Sequence, residues 1–131
     1  MKQALNILVV EDDAVLRKVV ASLFAKIGTV ATAECGNDAI AHLKENAVDM
    51  VFSDVCMPNG DGVELLDWMQ SSLKNPPPIV LVTGHASISP EEAKAKGAHS
   101  IVDKPFKMRS LLDLALQIAS GIEARKPQQS A

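Results

Sequence analysis

The chain has 131 residues, enough for one domain with a hydrophobic core, and its 47% apolar and 22% charged residues exclude a disordered or fibrous protein. The net charge of -3 indicates no direct binding to nucleic acid or to an anionic membrane surface, since both usually need clustered Lys and Arg. A single globular domain is therefore predicted.

Five short apolar runs predict β-strands. They lie at residues 5–10, 30–34, 48–54, 79–83 and 100–102. The first, third and fourth are nearly all apolar at their centres, as in strands that are buried on both faces of a sheet. The second contains Thr32 and Glu34 and is therefore predicted to be an edge strand.

Segments with helical periodicity separate these strands. In the first segment, a stripe at four-residue spacing and three neighbours that widen it predict the apolar face of a helix: Val15, Val19, Leu23 and Ile27, then Leu16, Val20 and Phe24. Gly28 is predicted to close this helix as a left-handed cap. Further helices are predicted at residues 37–46, 62–73 and 108–124.

A short fourth helix is predicted between the last two strands. Ser89 is its expected N-cap, Pro90 its first helical residue, and Glu92 the residue that reaches back to the cap. Only about two turns remain before Gly97, with little apolar content, so this helix should dock loosely. Residues 84–89 are accordingly predicted to form a mobile loop.

The alternation of strands and helices predicts an α/β fold. Parallel strands need crossover connections, so the expected architecture is a doubly wound (βα)5 sandwich of the flavodoxin-like type, with strand order 2-1-3-4-5. The predicted domain covers residues 1–124. Residues 125–131 are polar without an apolar stripe and are predicted to be a disordered tail or a linker remnant.

The carboxyl ends of the strands carry the candidate functional residues, because ligands of open parallel sheets bind there. Acids end strands 1 and 3, and other polar groups end strands 4 and 5: Glu11, Asp12, Asp13, Asp54, Thr83, Asp103 and Lys104. Two carboxylates about 5 Å apart repel by roughly 3 kcal/mol, so a proton, a cation or Lys104 must neutralise them. Oxygen ligands without nearby His or Cys favour Mg²⁺ over zinc.

Each of these signals has a plainer structural alternative. Asp13 is more simply explained as an N-cap of the first helix than as a metal ligand. Thr83 could merely end a strand, and Lys104 before Pro105 could be a surface residue, although Pro there suggests a shaped turn with a cis bond. The histidines are too scattered for a ligand set: His42, His85 and His99.

The cysteines and the amino terminus bear on the cellular compartment. Cys35 and Cys56 have no CxxC spacing, so we interpret them as small buried apolar residues in a reducing compartment. There is no signal-peptide run and no stretch of about 20 apolar residues that could span a membrane. A cytoplasmic protein without membrane contact is predicted.

Taken in order, the strand-end motifs resemble those of the response-regulator receivers of two-component signalling. The motifs are ILVVEDD at 7–13, SDVCMPNGDG at 53–62, LVTG at 81–84 and DKPF at 103–106, and the resemblance covers about residues 5–122. It implies that Asp54 accepts a phosphoryl group from a phosphohistidine of a histidine kinase or histidine phosphotransfer protein. It also implies an unknown downstream protein as the output partner.

The resemblance further implies a role for each site residue. Asp12 is similar to the direct Mg²⁺ ligand, Glu11 to the acid that acts largely through water, and the main-chain carbonyl of Cys56 to a third protein ligand beside Asp54. Thr83 and Lys104 resemble the hydroxyl and the ammonium group that contact the phosphoryl oxygens. The implied activity is that of a signalling switch that catalyses its own phosphorylation and dephosphorylation, not that of a conventional enzyme.

Two features depart from the family pattern. Ile101 stands where active receivers often have an aromatic residue whose rotamer follows the threonine, and helix 4 is short. The face formed by helix 4, strand 5 and helix 5 is therefore predicted to differ from that of relatives. Cys56 and His85 resemble the variable positions that tune hydrolysis of the acyl phosphate.

Other functions stay open from the sequence. A haloacid-dehalogenase-like phosphohydrolase also uses Asp, Thr, Lys and Mg²⁺, but its nucleophile and a second Asp would end strand 1. The chain could instead be a phosphate shuttle or the receiver module of a hybrid histidine kinase. A binding module that works without phosphorylation is a third alternative.

Overall fold

The computed structural model describes residues 5–57, 61–84 and 88–125, with side chains described as far as residue 122. Strands and helices alternate along the whole of this part of the chain. Their bounds are β1 Leu5–Val10, α1 Ala14–Phe24, β2 Gly28–Ala33, α2 Gly36–Glu45, β3 Met50–Asp54, α3 Gly62–Ser72, β4 Ile79–Thr83, α4 Pro90–Ala95, β5 Ser100–Asp103 and α5 Met108–Arg125.

The five strands form one parallel sheet of order β2-β1-β3-β4-β5, which confirms the predicted flavodoxin-like topology. Strand β1 shows how both faces are covered. Leu8 and Val10 pack into a core with α2, α3 and α4, whereas Ile7 and Val9 pack into a second core with α1 and α5. The alternation of side chains along a strand thus places β1 between two apolar layers.

The buried face of α1 differs from the predicted one. Val15 and Val19 are 73% and 44% exposed, whereas Val20 and Phe24 are buried against the sheet. The two rows have the same four-residue spacing and are offset by about 100° around the helix axis. Packing selects the row that contains Val20, so the predicted stripe was centred on the wrong row.

The end of α1 was also predicted wrongly. The helix ends at Phe24 with Ala25 as its C-cap in right-handed helical conformation, and Gly28 is the first residue of β2. A Cβ atom at Gly28 would lie 2.4 Å from the main-chain oxygen of Leu5, its partner on β1. Gly28 therefore permits a close approach of two strands instead of capping the helix, and β2 starts two residues earlier than predicted.

The remaining element bounds agree with the prediction to within two residues. Strand β3 begins at Met50 instead of residue 48, and α5 continues to Arg125, one residue beyond its predicted end. Residues 126–131 of the predicted tail lie outside the described residues. No helix among the described residues is long and apolar enough to cross a membrane.

Helix α4 is as short as predicted, and its capping box is present. The Ser89 hydroxyl accepts a hydrogen bond from the Glu92 main-chain N–H at 3.1 Å, and the Ser89 N–H donates to Glu92 Oε1 at 3.2 Å. Ile88, Ala93 and Ala98 are buried and attach this segment to the core. Residues 85–87 of the predicted mobile loop lie outside the described residues.

Candidate functional site

Three carboxylates meet at the carboxyl end of the sheet. Glu11, Asp12 and Asp54 each offer an oxygen atom, and these atoms lie within 4.8 Å of one another. Glu11 and Asp54 are buried, at 6% and 7% exposure, whereas Asp12 is exposed. We call these three residues the acid cluster.

The register of β1 and β3 brings the cluster together. Val10 pairs with Ser53, so the next residues along the two strands, Glu11 and Asp54, leave the sheet side by side. The Glu11 main-chain N–H also donates to the Ala33 carbonyl at 3.0 Å, which holds this position against β2. These acids therefore lie together because β1 and β3 are neighbours in the sheet, as the sequence predicted.

Lys104 supplies a positive charge to the cluster from the end of β5. Its Nζ atom lies 3.1 Å from Asp54 Oδ2 and 3.3 Å from Glu11 Oε1. Its main-chain N–H donates to the Thr83 carbonyl at 2.7 Å, which ties the turn after β5 to the end of β4. The Lys104–Pro105 peptide bond is cis, as the sequence suggested.

The pKa values of two groups reflect this concentration of charge. Burial raises the pKa of Glu11 from 4.5 to about 7; the charge of Asp54 adds to this, and a hydrogen bond from the Asp13 main chain opposes it. Burial alone lowers the pKa of Lys104, but its hydrogen bond to Asp54 and the charges of Asp54 and Glu11 outweigh burial and raise it. A divalent cation at the cluster would favour the ionised form of Glu11 and so oppose both the burial and the charge of Asp54.

Thr83 lies at the same edge of the sheet. It is buried at the end of β4, one residue after Val82, which pairs with Asp54. The Val55 N–H donates to the Val82 carbonyl at 2.9 Å, so β3 and β4 remain paired up to the acid cluster. The topology therefore brings the predicted hydroxyl to the carboxyl end of the strand beside Asp54.

Gly62, the first residue of α3, lies close to the main chain of Asp54. A Cβ atom at Gly62 would lie 2.4 Å from the Asp54 main-chain oxygen, so a side chain there would push the start of α3 away from Asp54. Asp61 caps α3, with its side chain accepting from the Glu64 N–H at 2.8 Å. Cys56 is exposed and Cys35 is half-buried, so the prediction that both cysteines are buried was wrong.

The prediction for Asp13 is confirmed, whereas the one for His85 is not tested. Asp13 caps α1, with its Oδ1 atom accepting from the N–H groups of Val15 at 2.9 Å and Leu16 at 3.1 Å, as the capping interpretation predicted. His85 lies outside the described residues, as do residues 58–60 of the second motif.

One residue near the cluster was not anticipated. Arg17 Nη1 donates to the Glu11 main-chain carbonyl at 2.9 Å. The sequence contained a weak indication of a special role for Arg17. A cation this close to a helix N-terminus interacts unfavourably with the helix dipole, and the first turn of α1 has no acid. Nothing in the apolar pattern indicates where so long a side chain reaches.

The donor set fits a hard divalent cation. All three groups of the acid cluster are carboxylates, and Mg²⁺ prefers oxygen ligands with several retained waters. Burial on one side and exposure at Asp12 leave the cluster open to solvent for such waters. The arrangement can therefore bind a cation and present Asp54 as a nucleophile, with Lys104 beside it.

The chain is similar in sequence to a known protein family. Residues 7–116 match the family model of the response regulator receiver domain. A protein-glutamate methylesterase/protein-glutamine glutaminase from Halalkalibacterium halodurans is 35% identical over all of this chain and 41% of its own length. The response regulator protein FleR from Pseudomonas aeruginosa is 33% identical over 90% of this chain and 25% of FleR.

A solved structure shows the same arrangement of elements. The chemotaxis response regulator CheY4 of Vibrio cholerae is 32% identical, with a TM-score of 0.77, over 88% of this chain and 99% of CheY4. The chain thus corresponds to nearly all of that protein but spans less than half of the two longer relatives.

Proposed function

The chain belongs to the response regulator receiver family, and from this premise we propose that Asp54 is the phospho-acceptor of a two-component phosphorelay. The observation that carries the proposal is the contact between Lys104 Nζ and Asp54 Oδ2 at 3.1 Å inside a cluster of three carboxylates. A carboxylate with an adjacent cation can act as a nucleophile while the developing charge on the phosphoryl group is neutralised.

In the proposed reaction, an Asp54 carboxylate oxygen attacks the phosphorus of a phosphohistidine. The O–P bond forms as the N–P bond breaks, and the leaving imidazole stays on the donor protein. Lys104 then pairs with a phosphoryl oxygen, and the Thr83 hydroxyl donates a hydrogen bond to another. Transfer of this kind depends mainly on positioning and on positive charge at the phosphoryl oxygens.

We assign the metal site to Glu11, Asp12, Asp54 and the main-chain carbonyl of Cys56. When bound, Mg²⁺ would supply positive charge that neutralises the phosphoryl group. The support for this assignment is the all-oxygen donor set and the raised pKa of Glu11, which burial and the charge of Asp54 produce and a cation would offset. Glu11 acts largely through a bound water, while Asp12 is the more exposed, direct ligand.

The proposed output is a change at the face formed by α4, β5 and α5. An acyl phosphate carries about two negative charges where the carboxylate carried one, which would draw the Thr83 hydroxyl and the chain after β4 towards Asp54. Ile101 lies on β5 opposite Leu81 and packs partly into the core, so it could repack without a ring rotation.

The proposed donor is a histidine kinase or a histidine phosphotransfer protein. Val15 and Val19 support a protein donor, because they form an exposed apolar pair on the helix whose N-cap, Asp13, adjoins the acid cluster. A donor helix that covered these valines would bring its histidine towards Asp54. The predicted cytoplasmic location stays a prediction.

A related role is that of a module within a larger relay. The two longer relatives extend well beyond the aligned region, whereas CheY4 consists almost entirely of it. The chain could therefore work beside other domains, as in a hybrid histidine kinase, or as a free switch. The same Asp54 chemistry applies in a phosphate shuttle.

The test is incubation with acetyl phosphate and Mg²⁺, followed by intact mass measurement. Wild type should gain one phosphoryl adduct and Asp54→Asn none. Asp113→Asn is the matched control, because Asp113 is an exposed acid on α5 that has no part in the proposed site, and it should be phosphorylated normally. Absence of an adduct on wild type would overturn the proposal and would favour a binding module that works without phosphorylation.

A further inference from the structure

We propose that Arg17 is a positioning residue that sets the Mg²⁺ affinity of the acid cluster without binding the ion. The inference rests on the proposed function, since it concerns the same metal site. Its starting point is the hydrogen bond from Arg17 Nη1 to the Glu11 main-chain carbonyl at 2.9 Å.

That carbonyl lies just beyond the paired part of β1. The last residue of β1 in register with both neighbouring strands is Val10, so Glu11 is where the sheet ladder ends. A half-buried carbonyl at such a point needs a donor from elsewhere. The half-buried guanidinium of Arg17 provides one, and a hydrogen bond from a charged donor is stronger than one from a neutral donor.

Holding this oxygen also orients Asp12. The Glu11 carbonyl and the Asp12 N–H belong to one planar peptide unit, so fixing the oxygen fixes the direction in which the Asp12 Cα leaves the strand. Asp12 is the exposed member of the acid cluster and the one proposed to contact Mg²⁺ directly. Its carboxylate is thus aimed through the peptide that Arg17 holds.

The other contacts of this turn act on its two ends. The Glu11 N–H donates to the Ala33 carbonyl at 3.0 Å, and the Asp13 N–H donates to Glu11 Oε2 at 3.1 Å. The Asp13 side chain caps α1. Within the described part of the chain, Arg17 is the side chain that hydrogen-bonds the peptide between these two ends.

Arg17 contributes through geometry and not through its charge, and the two effects have opposite signs. A cation near the site repels Mg²⁺, so loss of its charge alone would tighten Mg²⁺ binding. Loss of the hydrogen bond frees the peptide and weakens binding. Partners that orient metal ligands typically change metal affinity by about 10- to 100-fold.

The experiment is calorimetric titration of Mg²⁺ into wild type, Arg17→Ala, Arg17→Lys and Lys18→Ala. We expect Arg17→Ala to weaken Mg²⁺ binding about tenfold or more. Arg17→Lys, which keeps one charged donor, should recover most of the affinity. Lys18→Ala is the matched control, because Lys18 is the exposed neighbour on α1 and its removal takes away one charge without this hydrogen bond.

Unchanged or tighter Mg²⁺ binding in Arg17→Ala would overturn the inference. Unfolding in metal-free buffer, measured for each variant, separates loss of the fold from loss of affinity. If Arg17→Ala does not fold, Arg17→Met, which keeps the aliphatic stem but has no donor, replaces it with the same expected direction and the same overturning result. Failure of wild type itself to bind Mg²⁺ would instead count against the proposed function.

Discussion

The acid cluster and the α4–β5 edge, which comprises residues 88–103, lie at neighbouring parts of one sheet but are built differently. The cluster lies at the ends of two interior strands. Two of its carboxylates are buried, and the Lys104 ammonium group lies within 3.3 Å of both. The edge uses a helix of six residues and an outer strand whose residues are half-buried or exposed.

The difference suggests that the chemistry and the relay of the signal are separable in this protein. Substitutions at the cluster should change phosphorylation strongly. Substitutions at the edge should change stability and leave phosphorylation nearly intact, because few of its side chains reach the acids.

Replacing the cation should have the largest effect. Lys104→Met removes the ammonium group beside Asp54, and loss of one such charged donor typically slows a reaction by about 100- to 1,000-fold. The rate of adduct formation from acetyl phosphate measures it. Lys107→Met, an exposed lysine in the following turn, is the control and should react like wild type. If Lys104→Met reacts about as fast as wild type, the acid cluster and the α4–β5 edge do not differ in their effect on phosphorylation.

A substitution at the edge should act on stability instead. Ile101→Ala removes a half-buried side chain that packs against the α2–α3–α4 core, and should lower the free energy of unfolding by about 2 kcal/mol. Urea denaturation measures this loss, and the phosphorylation rate should be unchanged. Leu116→Ala, at an exposed position on α5, is the control for loss of apolar volume without burial. A slower rate in Ile101→Ala would mean that the edge supports the chemistry directly.

A third prediction concerns the stability of the cluster in metal-free buffer. The pKa of Glu11 is raised from 4.5 in an unfolded chain to about 7 in the folded protein, mainly by burial, so folding disfavours its ionised form. Compared with a protein that has a neutral side chain at this position, the folded protein therefore loses stability as the pH rises from 4.5 through 7. Glu11→Gln should raise the melting temperature at pH 8 and change it little at pH 4.

The matched control for this prediction is Glu34→Gln, an exposed acid just after β2. It should leave the difference between the two pH values as in wild type. A melting temperature of Glu11→Gln that falls at pH 8 would show that Lys104 stabilises ionised Glu11 more than burial disfavours it. Calorimetric melting at both pH values decides between these outcomes.

The sequence was sufficient for the parts of the structure that depend on topology. Lys104 and Glu11 are 93 positions apart, yet both follow strands whose order could be inferred from alternation and apolar content. Once the carboxyl ends of parallel strands share an edge, the meeting of Glu11, Asp54 and Lys104 requires little more than that order.

Side-chain direction and reach could not be inferred in the same way. On α1, the Val15 and Val20 rows are equally apolar and equally spaced, so periodicity does not decide which one faces the sheet. Gly28 fits a helix end as well as a close strand pair until the register with Leu5 is known. Arg17 contacts a main-chain oxygen, which no residue type in the sequence marks as its partner.

The position of Lys104 after an outer strand has a consequence for local opening of the protein. β1 and β3 are hydrogen-bonded to a strand on each side, whereas β5 pairs with β4 alone. Segments with fewer such bonds can open locally, and they do so more often than the whole protein unfolds. The Lys104 amide proton, bonded to the Thr83 carbonyl, should therefore exchange with solvent in the same event that separates the buried carboxylates from their counter-ion.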